Sequence, residues 1–150
     1  MTDLTIDQEY IKPLIESGKV KALDKNECLN FDAYISTAFP WLEYTDRIDW
    51  SNRSIKELNF RVASMDQIKS FVASSHLGSS KYLGLVFSAF EPGVYGESNA
   101  ILDNLFAFVV HSAGPFFIVA TELDKFGLPI LHKDIFIEGN RLRRTLITLN

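Results

Sequence analysis

Residues 81–123 read KYLGLVFSAFEPGVYGESNAILDNLFAFVVHSAGPFFIVATEL, the densest apolar stretch of the chain, and their periodicity demands a sheet. Across residues 82–90, Leu83, Leu85, Phe87 and Ala89 recur at period two opposite Tyr82, Gly84, Val86 and Ser88, the pattern of a strand with one strongly buried face. The following EPGVYGES combines Pro92, Gly93 and Gly96 with two carboxylates and reads as a loop without regular structure. Residues 105–111 (LFAFVVH) and 115–123 (PFFIVATEL) are rich in β-branched and aromatic side chains. Only Ser112, Ala113 and Gly114 separate them, so they read as a hairpin. Neither strand alternates cleanly, which implies that both faces are covered, one of them by helices.

A chain of 150 residues is one domain by size, and 47% apolar residues with twelve Phe give it enough apolar area to offset chain entropy. Its single cysteine, Cys28, has no partner for an internal disulfide, which predicts a buried, inert thiol in a reducing compartment. The start, MTDLTIDQEY, carries three carboxylates and no basic residue ahead of an apolar run, and no window approaches 18 consecutive apolar residues. A cytoplasmic protein with no membrane segment is expected.

Helical spacing organises the front of the chain. Tyr10, Ile11, Leu14 and Ile15 predict a helix over residues 7–17, capped by Thr5, stopped by Gly18, and either bent or started late because of Pro13. Asp24 opens a second helix in which Cys28, Phe31, Ile35 and Phe39 share one face, ending before Pro40. Residues 54–62 (SIKELNFRV) alternate as a short strand. Ser64 and Gln67 then form a capping box ahead of the stripe Met65, Ile68, Phe71, Val72, a third helix. Beyond a connector at residues 124–129, residues 130–137 and 142–149 read as a second hairpin turning at Gly139–Asn140. The result is a single α+β domain over residues 1–150, with N-terminal helices packed on one side of a curved, mostly antiparallel sheet of about five to six strands. This order of helix, helix, strand, helix and five strands is similar to that of the cone-shaped folds of the nuclear-transport-factor type, in which early helices close over a bent sheet. The similarity is one of element order and carries no function with it.

Catalytic signatures are missing from the sequence. His76, His111 and His132 stand in no zinc spacing, no serine sits in GxSxG, and no glycine pattern forms a phosphate loop. No cofactor is implied. Glu91 and Glu97 bracket the EPGVYGES loop and read as solvated charges, while Arg141, Arg143 and Arg144 read as charges protecting a strand edge.

Charge is uneven along the chain. Of the formal −4, residues 1–50 contribute −5 (ten Asp and Glu against five Lys and Arg), residues 51–110 balance at five against five, and residues 111–150 give +1. An acidic front argues against direct nucleic-acid binding, which needs clustered Lys and Arg, and favours a cationic partner. Trp41, Glu43, Tyr44, Asp46, Asp49 and Trp50 interleave aromatics with carboxylates in a segment of no regular period. Aromatic anchors inside a carboxylate rim are the composition of a protein contact that steers a basic partner. Small size, this segment and the missing catalytic parts predict a non-enzymatic inhibitor or immunity protein that neutralises a basic partner such as a nuclease toxin, with homo-oligomerisation left open. The competing reading is a small-molecule-binding or enzymatic domain with a pocket inside a cone-shaped sheet, using His111, Asp49 or Glu91.

Overall fold

The computed structural model describes residues 13–41, 48–87, 93–105, 115–140 and 143–150. The chain begins there with a helical turn over residues 13–16, whose end is marked by Ser17 N–H reaching the Pro13 carbonyl (3.0 Å) and Gly18 N–H reaching Ile15 (3.1 Å). Thr5 and the rest of the expected first helix lie outside the described residues.

Among the described residues three further helices follow, two of them from local signals. α1 (Lys25–Ala38) is capped by Asp24, whose carboxylate accepts from Asn26 N–H (2.7 Å), and it stops before Pro40. Cys28, Phe31, Ile35 and Phe39 are all buried, as their shared face requires. α2 (Met65–Ser74) carries the complete capping box, with Gln67 N–H on Ser64 Oγ (3.2 Å) and Ser64 N–H on Gln67 Oε1 (2.7 Å). α3 (Ser98–Asp103) is short and was not expected from the sequence.

Seven strands form one open antiparallel sheet: β1 (Val20–Ala22), β2 (Ile55–Asn59), β3 (Tyr82–Val86), β4 (Val94–Glu97), β5 (Pro115–Leu123), β6 (Pro129–Asn140) and β7 (Thr145–Leu149). Their order across the sheet is β1-β4-β3-β5-β6-β7-β2, so the two strands earliest in the chain close the two edges. The α+β class with a curved antiparallel sheet is as the sequence implies, with one strand more than the upper count. Two elements depart from the expected order. Residues 94–97, read as loop, pair on both sides with β3 and β1 because their free backbone groups find two strands to bond, and the short α3 then separates β4 from β5. Of the expected hairpin partner of β5, residues 105–111, only Leu105 is described, buried just after α3, and the rest lies outside the described residues.

The second hairpin is also displaced. β6 runs straight through Gly139 and Asn140, and the chain turns after them instead of at them. Gly139 is in the strand because Phe116 crosses it: a Cβ built there would lie 2.1 Å from the Phe116 ring. A glycine in a strand marks such a close approach as readily as a turn.

Helices cover both faces of the sheet, where the sequence reading placed them on one. Alternate residues of β3 and β5 explain this: Leu83, Leu85, Phe87, Phe116, Ile118 and Ala120 join a core with Val72, Ile101 and Leu102 of α2 and α3. Val86, Phe117 and Val119 face the other way, onto Cys28, Phe31 and Ile35 of α1. On that second face Phe136 is the hub of an aromatic cluster, with ring centroids 5.3 Å from Phe39, 5.8 Å from Phe117, and 6.1 Å from both Phe31 and Trp50. The tilted and edge-on geometries are the favourable ones for aromatic quadrupoles. Opposite Phe136 the sheet is bent, because Ala120 alone on β5 faces residues 132–135 of β6, a bulge that sharpens the local twist.

Candidate functional site

The segment with interleaved aromatics and carboxylates leaves and re-enters the body through a fixed stem. Trp41 and Ile48 form an antiparallel bridge, Asp49 N–H bonds the Pro40 carbonyl (2.8 Å), and the Trp41 indole N–H bonds the carbonyl of Ile35 on α1 (3.2 Å). Beneath the stem lies Glu138 of β6, only 3% exposed. Its Oε2 accepts from Ile48 N–H and its Oε1 from the Trp50 indole N–H, both at 2.8 Å. A carboxylate placed so deep is costly unless it is hydrogen-bonded, and charge-assisted bonds are the strong ones. Glu138 thus ties the base of the segment to the sheet.

Of the six residues singled out from sequence, Trp50 is a core residue: 7% exposed, packed on Phe39 and Phe136, its only donor held by Glu138. As an exposed anchor it is corrected, because its ring and its N–H are both engaged internally. Trp41 is half-buried against the α1 core. Asp49 is on the stem, where Ser51 donates to it from its hydroxyl (2.6 Å) and its N–H (3.0 Å). Those bonds, the hydroxyl first, hold the Asp49 carboxyl below its usual range, so it is charged at neutral pH. Glu43, Tyr44 and Asp46 lie outside the described residues. On neighbouring α1, Glu27 and Asp32 form no ion pair among the described residues, and Leu29 is 40% exposed between them.

Glu138 escaped the sequence reading because it sits next to Gly139–Asn140, which drew the reading of a turn. Its signal was a carboxylate on the same period-two face as Phe136, an inward position in a strand.

A second exposed feature lies at the other end of β6. The β5–β6 turn carries Phe126 (76% exposed) and Leu128 (58%), followed by Ile130 (44%). It is stiffly built: Asp124 Oδ1 accepts from Phe126 N–H (2.8 Å) and Leu128 N–H (2.9 Å), Asp124 N–H bonds the Leu128 carbonyl (2.9 Å), and Gly127 adopts the left-handed φ of 79° that the turn needs.

The remaining candidates are dispersed. His132 pairs with Glu122 at 3.0 Å, and His76 is exposed on the loop after α2. No group of three or more His, Cys, Asp or Glu among the described residues is placed to hold a metal ion. His111 and Glu91, two of the polar groups named for a sheet pocket, lie outside the described residues, as does Arg141; Asp49 is engaged by Ser51, and Glu97, Arg143 and Arg144 are exposed. Cys28 is buried, and that burial pushes its thiol upward in pKa, which makes it a poor nucleophile. No helix among the described residues is long and apolar enough to cross a membrane. No protein-family model matches the chain, and no curated protein matches its sequence significantly.

Proposed function

We propose that this chain is a non-enzymatic protein-binding domain, an inhibitor or immunity protein that neutralises a basic partner such as a nuclease toxin, and that residues 41–49 are its contact. The observation that carries the reading is the Glu138 clamp, in which both oxygens of a buried carboxylate hold the stem of one acidic, aromatic loop. Binding residues favour segments set on a rigid scaffold, and a stem held beforehand loses less entropy on association. Trp41 is the half-buried aromatic of the stem, and Asp49, with Glu27 and Asp32 of α1, provides carboxylates that steer a cationic surface.

The test is affinity capture from a lysate of the source organism, comparing the native chain with Glu43→Gln/Asp46→Asn/Asp49→Asn. A basic protein retained by the native chain, lost by the variant and released at high salt supports the reading. Identical capture by both chains, or capture of acidic partners alone, refutes it. Circular dichroism of the variant should match the native chain if the proposed contact charges are solvated, since such charges contribute about 0–1 kcal/mol per pair.

A further inference from the structure

Two clefts meet at a shared wall made by Tyr82 and Leu123. One, of about 490 Å³, is lined by Lys19 and Lys21 beside Tyr95, and by Glu97 and Asp103. The other, of about 430 Å³, is lined by Lys81, His76 and Ser80, with the Glu122–His132 pair on the β5–β6 side. Each is within the ~300–1,000 Å³ range of small-molecule sites. The wall between them is braced: Ser98 donates from its hydroxyl to the Ser80 carbonyl (2.6 Å) and from its N–H to the Lys81 carbonyl (2.9 Å), which fixes the start of β3 against α3.

The charges in these clefts oppose those of the whole molecule. Asp103 is taken by Lys69, whereas Lys19, Lys21 and Lys81 have no carboxylate partner among the described residues. Glu97 and Glu122 are then two carboxylates against three lysines, on a protein of formal charge −4. The Lys81 ammonium stands 5.5 Å above the Tyr82 ring, so a cation is held at the junction of the clefts. Tyr95, 8% exposed, and Leu123 supply apolar walls next to these donors.

We propose that the paired clefts bind a small phosphate-bearing molecule, with its anion on Lys19, Lys21 and Lys81 and a planar, less polar part against Tyr82, Tyr95 and Leu123. Ammonium groups bind phosphate as point charges, and two on one cleft with a third over the shared Tyr82 wall favour a dianion over a simple carboxylate. The acidity elsewhere on the chain repels a long polyanion, which limits the ligand to something the size of a mononucleotide. This site is made of residues other than those of the proposed protein contact.

The probes are AMP, inorganic pyrophosphate and adenosine, each titrated into the full ¹⁵N-labelled chain at low ionic strength and followed by amide shifts. Expected are saturable shifts with AMP and pyrophosphate at Lys19, Lys21, Lys81, Tyr82 and Tyr95, weaker binding of adenosine, and loss of affinity in salt. Lys21→Ala and Lys81→Ala are exposed substitutions that should keep the native spectrum. Each should weaken AMP about tenfold, the loss of one charge-assisted bond. No saturable shift at these residues with either anion up to roughly 10 mM, well past a millimolar Kd, overturns the proposal. So does AMP binding that is undiminished in both lysine variants, or adenosine binding as tightly as AMP.

Discussion

The Glu138 clamp makes the sharpest quantitative prediction. Glu138→Gln keeps the volume and one carbonyl oxygen but replaces the second acceptor with an NH₂ that faces another donor, either Ile48 N–H or the Trp50 indole N–H. One buried donor then loses its partner, at about 1–3 kcal/mol, and the surviving bond loses its charge assistance, at about another 1 kcal/mol. The expected loss is about 2–4 kcal/mol, a large share of the ~5–15 kcal/mol available to a domain of this kind. Trp50→Phe retains most of the packing on Phe39 and Phe136 and removes only the N–H, so it should cost about 1.5–3 kcal/mol for a bond to a charged group. Because Trp50→Phe removes one of the two donors that compete for the single remaining amide oxygen, the double variant should be less destabilised than the sum of the singles, with a coupling of about 1–2 kcal/mol. Urea unfolding followed by circular dichroism measures all three. A Glu138→Gln loss below about 0.5 kcal/mol, within the range of ordinary surface changes, with no coupling to Trp50, would refute the reasoning.

Three further outcomes are expected. Phe87, 2% exposed, should cost about 3–5 kcal/mol on substitution by Ala, and a loss under about 1 kcal/mol in chemical denaturation would mean that its site collapses or was never core. Gly139→Ala forces a methyl to within 2.1 Å of a fully buried phenyl ring, so a loss of at least about 1–3 kcal/mol should appear as a lower midpoint; an unchanged midpoint would show that Phe116 can move aside. The Cys28 thiol is raised above its ordinary 9.0 by burial first, and a raised folded-state pKa contributes stability that is complete below the unfolded value and declines as pH rises through the folded one. Unfolding midpoints should therefore fall above about pH 9, less steeply in Cys28→Ala, and equal slopes for the two chains would argue against a buried neutral thiol.

What the sequence determined by itself was every feature whose cause is local. Asp24 as cap, the i, i+3, i+7, i+11 face of α1 and the capping box of α2 all reflect bonds and rotamers within a few turns of chain, and all of them hold in the structure; the single buried face expected of β3 does not, since Gly84 and Val86 are buried along with Leu83 and Leu85. Tertiary structure decided what depends on residues far apart. Residues 94–97 became a strand because β3 and β1 offer it two partners, although Pro92, Gly93 and Gly96 spell a loop locally. Helices divided between the two faces because β3 and β5 are apolar on both, a fact periodicity records without saying which helix goes where. Trp50, which has the composition of an interface anchor, is core because a carboxylate 88 positions away accepts its N–H in the interior. Gly139 is a strand residue because a phenyl ring on the neighbouring strand occupies the space of its side chain. A hydrogen bond or contact between distant residues leaves no period in either segment, so only the folded chain, in which its partners are brought together, can assign it.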